Sequence, residues 1–198
     1  MQLHGFARNL DWELTATVGG ACPSVELTLR ESEATRAMWP TAFTARQTIT
    51  LSGPNKLTAT LAVTNTDSKP FDFTASFHTY FSVADISAVA VEGLSGLKML
   101  NRVAKPPAEG VAPAGAVTIS GPVDSVYYNA PPSLTLQTGG GKAVRIAAAG
   151  WPDAVVWSPW TDMAACYKEF VCVENAAVGQ PVVVAPGATW SGSMELTA

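Results

Sequence analysis

Apolar and polar positions alternate with a period of two along most of this chain. In "SVELTLRE", Val25, Leu27 and Leu29 fall on one face and Ser24, Glu26, Thr28 and Arg30 on the other, the pattern of a strand with one buried side. "FTARQTITLSGPNKLTATLAVTNTD" predicts two strands joined through Ser-Gly-Pro-Asn, residue types that favour tight turns. "PFDFTASFHTYFSV" predicts a further strand, and "DISAVAVEGL", "AVTISG", "SLTLQTGGGKAVRIAAAG", "DAVVWSPW", "EFVCVENA" and "TWSGSMELTA" follow at short spacing. Residues 104–116, "AKPPAEGVAPAGA", are expected to form an exposed, mobile loop. A helical turn is expected only in "TDMAACYKEF". No fixed-length repeat is present, so the chain reads as one all-β domain over residues 1–198, an antiparallel sandwich or barrel.

Composition narrows the function classes. Charged residues are 14% of the chain, against roughly 25% in ordinary soluble domains. Thr, Ser, Ala, Gly and Pro replace them, in keeping with strands and turns. The net charge is −4 and no basic block occurs, which argues against electrostatic capture of nucleic acid. Cys22, Cys166 and Cys172 are odd in number and lack Cys-x-x-Cys spacing, so neither a disulfide framework nor a zinc site is indicated. A reducing compartment, the cytoplasm, is expected. No apolar run approaches the ~18 residues of a membrane span, and "MQLHGFARNLDWEL" resembles neither a signal nor a transit peptide.

Several polar residues interrupt this pattern. His78, one of two histidines, sits within "SFHTYFSV". Parity places Ser76, His78, Tyr80 and Ser82 on one face, and Phe77, Thr79, Phe81 and Val83 on the other, core face. The histidine is either hydrogen-bonded within a sheet or placed to move a proton near neutrality. Glu174 closes the hydrophobic run "EFVCVENA", on the face of Phe170 and Cys172; it is either an exposed strand end or a desolvated base. Arg8 follows the glycine turn of "HGFARN", where a guanidinium can grip an anion or simply be solvated, and His4 fits a role bracing that turn. Asp124 in "GPVDSVYYN" suits either a hydroxyl contact or an Asx turn. Trp151, Trp157 and Trp160 crowd "WPDAVVWSPW"; such rings suit the C–H faces of sugars and equally a core.

In this order, "HGFARNLDWEL", "FHTYFSVADISAVAVEGLSG", "DSVYYN", "WPDAVVWSPW" and "FVCVENAAVGQPVVVAPGATWSG" resemble the glucose-6-phosphate 1-epimerases, or hexose-6-phosphate mutarotases. The resemblance extends from residue 4 almost to the C-terminus. It implies a galactose-mutarotase-like antiparallel β-supersandwich. It implies that His78 and Glu174 are the catalytic acid and base, that Arg8 contacts the substrate phosphate, and that Asp124 binds substrate. The implied activity is cofactor-free interconversion of the α and β anomers of a hexose 6-phosphate, by a monomer with a phosphorylated sugar as its partner and no metal.

Departures from the family pattern set the alternatives. The segment with further strands and a second phosphate-binding arginine that usually precedes His-Gly-Phe-Ala-Arg does not occur, so the domain is expected to be N-terminally truncated. Leu3 stands where glutamine is frequent, Ser158 where asparagine is usual, and the loop from Trp160 to Tyr167 is short. A non-catalytic carbohydrate-binding sandwich or inactive fragment is one alternative. The other is an interaction protein whose exposed edge strand pairs with a partner or with itself.

Overall fold

The computed structural model describes residues 4–198. Among them run β1 (Glu13–Val18), β2 (Ser24–Arg30), β3 (Phe43–Gly53), β4 (Lys56–Asn65) and β5 (Phe71–Phe77). Next come β6 (Tyr80–Ser82), β7 (Ala90–Glu92), β8 (Lys98–Asn101), β9 (Ala108–Val111), β10 (Val117–Thr118) and β11 (Val123–Tyr127). The chain ends with β12 (Ser133–Gly139), β13 (Lys142–Ala149), β14 (Asp153–Ser158), β15 (Phe170–Val184) and β16 (Thr189–Thr197). The strand pairs with a resolved register are all antiparallel, as the alternating pattern requires. Two compact units form, one from residues up to Phe73 with Val182–Met194, the other from Thr74–Pro181 with Glu195–Ala198.

In the first unit the strands lie in the order β1-β2-β3-β4, followed by β16. The β3–β4 hairpin closes at Gly53 and Lys56, which face each other across Pro54–Asn55. Leu29, Phe43, Ala45, Val63, Phe71 and Val184 are its buried core. Trp39 roofs them, 5.3 Å from the Phe43 ring and 4.8 Å from Phe71. Thr28 departs from the expected polar outer face. It is 2% exposed because β1 lies beside it, with Thr15 Oγ1 2.9 Å from its hydroxyl.

One short helix, α1 (Glu33–Met38), was not expected. Six residues are too few to show helical periodicity, and the signal is local. Ser32 Oγ accepts from Thr35 N while Thr35 Oγ1 accepts from Ser32 N, a reciprocal capping box. Pro40 follows the last turn, where proline cannot continue a helix.

Asn65 ties the end of β4 to its surroundings. Fully buried, it donates from Nδ2 to the carbonyls of Lys69 and Val184, at 2.9 and 2.8 Å, and accepts from Asp67 N at 2.8 Å. Asp67 in turn accepts from the amides of Ala42 and Ser68, which hold its carboxyl below the usual range.

The second unit holds β13-β12-β7-β10 in one sheet, and a seven-stranded sheet in the order β5-β15-β14-β11-β8-β9, with β6 beside β15. Their core-facing positions include Val91, Leu136, Ile146, Val156, Val171 and Val173, none measurably exposed. The loop expected at 104–116 is partly a strand. Residues 108–111 pair with β8 through their backbone, while their side chains stay exposed. Ala112, buried to 3%, anchors the segment by donating its N–H to Leu97. Small residues hid this strand, because backbone pairing needs no alternation of side chains. Two 3-10 turns, Trp160–Met163 and Tyr167–Glu169, fall in and just before residues 161–170, where a helical turn was expected.

Asn65→Ala removes both donors and the acceptor at once, leaving the buried Val184 carbonyl and the part-buried Lys69 carbonyl and Asp67 amide without these partners. A buried group left in this way costs about 1–3 kcal/mol, and the two part-buried ones, within reach of water, cost less. A loss of about 2–3 kcal/mol in unfolding free energy is therefore expected, read from urea denaturation. A loss under about 1 kcal/mol would show that this knot is not structural.

Candidate active site

His78 lies where a strand breaks. The ladder of β5 ends at Phe77 and β6 begins at Tyr80. Between them Thr79 N donates to Phe77 O at 2.8 Å, closing a three-residue turn centred on His78. Side-chain alternation nonetheless survives the break. Tyr80 is directly opposite Cys172, and Ser82 opposite Phe170, while Ser76 reaches Glu174. All of these share one face of the seven-stranded sheet, because directly opposed residues point to the same side.

Glu174 is no exposed strand end: β15 runs on past it to Val184, and it is buried, at 6% exposure. Its neighbours on the face are largely apolar: Cys172 and Ala176 on its own strand, and Val155 directly opposite. Val126, Val155 and Ala176 form a small cluster there with Leu100, Tyr128 and Val178. A carboxylate in such surroundings needs donors. Ser76 Oγ donates to Glu174 Oε2 at 2.6 Å, and His78 Nδ1 stands 3.4 Å from Oε1. The histidine and glutamate expected to work together thus meet, about a quarter of the imidazole being open to solvent. Ser76 was placed on the correct face by parity, but nothing in the sequence singled it out as the partner of the carboxylate.

Aromatic rings frame the pair. Tyr80 stacks on His78 with centroids 5.0 Å apart and planes 10° from parallel. Trp157 meets the imidazole edge-on at 5.8 Å, and Phe170 packs on both Tyr80 and Trp157. Tyr80 remains 56% exposed, so this aromatic surface is open. The three tryptophans divide accordingly. Trp157 belongs to the site, Trp151 is buried against Phe77, and Trp160 packs on Tyr167.

Cys172 lies between Tyr80 and Trp157 in the cross-strand row. Burial, and secondarily the negative charge of Glu174, push its thiol far above the ordinary range. Asp124 stands at the far end of the same row, directly opposite Trp157. Strand residues surround it and its Oδ1 is paired with Arg102, so it forms no Asx turn. Ser158, on the opposite face from Trp157, is 1% exposed.

Arg8 is carried by the first unit, in a 3-10 turn at Ala7–Asn9. His4 and Gly5, both with positive φ, make the turn before it. Phe6 anchors that turn 6.0 Å from Phe43, and Trp12 Nε1 donates to Ala7 O at 2.9 Å. Leu3 lies outside the described residues. Among the described residues no group of three His, Cys, Asp or Glu side chains is arranged to hold a metal, and no helix is long and apolar enough to cross a membrane.

The family model for aldose 1-epimerases matches residues 1–197. This chain belongs to that family. It is 37% identical over 215 residues to a protein of Cenchrus ciliaris named "Putative glucose-6-phosphate 1-epimerase", covering 100% of this chain and 65% of the relative. A protein of the same name from Escherichia coli K12 is 32% identical over 188 residues, covering 87% of this chain and 60% of that one. The chain therefore spans somewhat under two thirds of the length of these relatives. The crystal structure of a "putative mutarotase (YeaD)" from Salmonella typhimurium superposes with a TM-score of 0.88 at 26% identity, over 100% of this chain and 68% of that one. The fold is accordingly the antiparallel galactose-mutarotase-like one that the motifs imply.

The three thiols of this aldose 1-epimerase family member should differ sharply toward a disulfide reagent at pH 8. Cys22, exposed, should label within the first fast phase, whereas buried Cys172 should label only as the protein opens. Rapid labelling of all three in folded protein would contradict the placement of Cys172.

Proposed function

We infer that this chain interconverts the α and β anomers of a hexose 6-phosphate by opening and reclosing the sugar ring. The observation that carries this is the pairing of His78 and Glu174, 3.4 Å apart, on an open aromatic surface. Glu174 takes the proton of the anomeric hydroxyl as the bond between the anomeric carbon and the ring oxygen breaks. His78, protonated, delivers a proton to that ring oxygen. The free aldehyde turns about its bond to the next carbon, and closure onto its other face reverses both transfers. Two proton transfers suffice, with no electron or group moved elsewhere.

The surroundings support these roles. Ser76 holds Oε2 of Glu174, so that Oε1 is the oxygen turned toward His78 and the reacting hydroxyl. Tyr80, stacked on the imidazole, limits its rotation, and Trp157 offers an apolar face to the sugar C–H groups. Asp124 accepts from a sugar hydroxyl through Oδ2. The relatives' names point to glucose 6-phosphate as the sugar. Three unpaired cysteines suit a reducing compartment, and the cytoplasm is the proposed location.

Freshly dissolved α-glucose 6-phosphate, followed by polarimetry, tests this inference. The chain should accelerate mutarotation above the spontaneous rate, and His78→Ala or Glu174→Gln should each lower kcat by about 10²–10⁴-fold. Ser76→Ala should lower kcat roughly tenfold with KM nearly unchanged, and Ser76→Thr should restore it, because only a hydroxyl is needed on Oε2. Folded chain without acceleration would leave a sugar-binding module in place of an enzyme.

A further inference from the structure

Asp124 is half of a fixed pair. Its Oδ1 accepts from Nε of Arg102 at 2.8 Å and is 2.6 Å from Nη2, while Arg102 N donates to its backbone oxygen at 2.8 Å. On the other side of Arg102, Asn101 Oδ1 accepts from the amides of Val103 and Ala104, at 3.0 and 3.3 Å. The guanidinium is thus held at its head by a carboxylate and at its base by backbone bonds on both flanks. Of its five N–H donors, two are used on Oδ1, and three remain. The side chain is 40% exposed.

The register gives this cation a direction. Leu100 is opposite Val126, Val126 is opposite Val155, and Val155 is opposite Glu174. All four point to the face that carries His78, Tyr80 and Trp157. Arg102, just past the end of β8, reaches that same side because its guanidinium is held by Asp124, at the end of the cross-strand row of Asp124, Trp157, Cys172 and Tyr80. From the strand of Glu174 to that of Arg102 is three strand spacings, about 14 Å between backbones. Glu174 and Arg102 each contribute a side-chain length to that span. A phosphorylated hexose presents its anomeric carbon at one end and its phosphate at the other.

An exposed ion pair contributes little to stability by itself, but a guanidinium held by a carboxylate is preorganised for a second anion. We propose that Arg102, oriented by Asp124, receives the phosphate monoester of the substrate and so makes the second unit selective for phosphorylated sugars. This rests on the hexose-phosphate function inferred above. Asp124 then has two tasks on separate oxygens, Oδ1 for Arg102 and Oδ2 for a sugar hydroxyl.

Calorimetric titration of the intact chain with inorganic phosphate, glucose 6-phosphate and glucose separates the possibilities. Arg102→Gln should weaken binding of both phosphate ligands by about 10- to 100-fold and leave glucose binding unchanged. Arg102→Lys, which keeps the charge but not the fork, should lie between Arg102→Gln and the unaltered chain. Lys142→Gln, the same charge loss at the β12–β13 turn, should change phosphate binding by less than about 2-fold. Unchanged phosphate affinity in Arg102→Gln, an equal loss in Lys142→Gln, or no phosphate binding by the unaltered chain would overturn the proposal. Because the readout is binding, failure to accelerate mutarotation would count against the epimerase inference alone.

Discussion

A carboxylate in apolar surroundings is the constraint on which the site depends. Glu174 is almost wholly buried, with Val155 opposite it and Ala176 beyond it. A charge cannot stay in such a place without donors, since desolvation of an unpaired carboxylate exceeds any gain from packing. Ser76 supplies one donor and His78 stands ready with another. Each comes from the segment that pairs along β15, so the register of a few strands fixes the electrostatics of the whole site. A one-residue slip would turn the serine and the tyrosine to the other face and leave the carboxylate among hydrocarbon.

The break at His78 follows from the same demand. A continuous strand would hold the imidazole in the row between Ser76 and Tyr80, at the pleat's fixed spacing. The turn from Phe77 to Thr79 frees it from the ladder, while Tyr80 resumes pairing with Cys172 and lays its ring against the imidazole. Position therefore comes from packing against an aromatic ring as well as from the backbone. Cys172, small and with its thiol held neutral, leaves room between Tyr80 and Trp157 without adding a second charge beside Glu174.

Period-two alternation made the strands of β2, β3 and β4 legible, and the apolar run around Val171 and Val173 did the same for β15, which is buried on both faces. Alternation also placed Ser76 with His78 on one face of their strand, and Glu174 with Phe170 and Cys172 on one face of theirs. Where an element did not bury an alternating face, the pattern was silent. The strand at Ala108–Val111 pairs only through its backbone, and the helix at Glu33–Met38 is set by a capping box instead of a stripe. The meeting of His78 with Glu174 lies nearly a hundred residues apart in the chain, and no local pattern encodes it. The family motifs supplied that pairing, and the sheet register supplies its cause. Arg102 carried no signal at all, since a lone arginine after a strand is ordinary until its carboxylate partner is seen.

The central claim is that His78 and Glu174 act as one proton-moving unit. Exchange between α- and β-glucose 6-phosphate, measured by two-dimensional NMR at equilibrium, tests it with His78→Ala, Glu174→Gln and the double variant. If the two residues form one unit, the double variant should be no slower than the worse single one, because either loss already disables both transfers. Losses that multiply, each variant retaining its own share of the acceleration, would contradict it and leave two residues acting independently on the sugar.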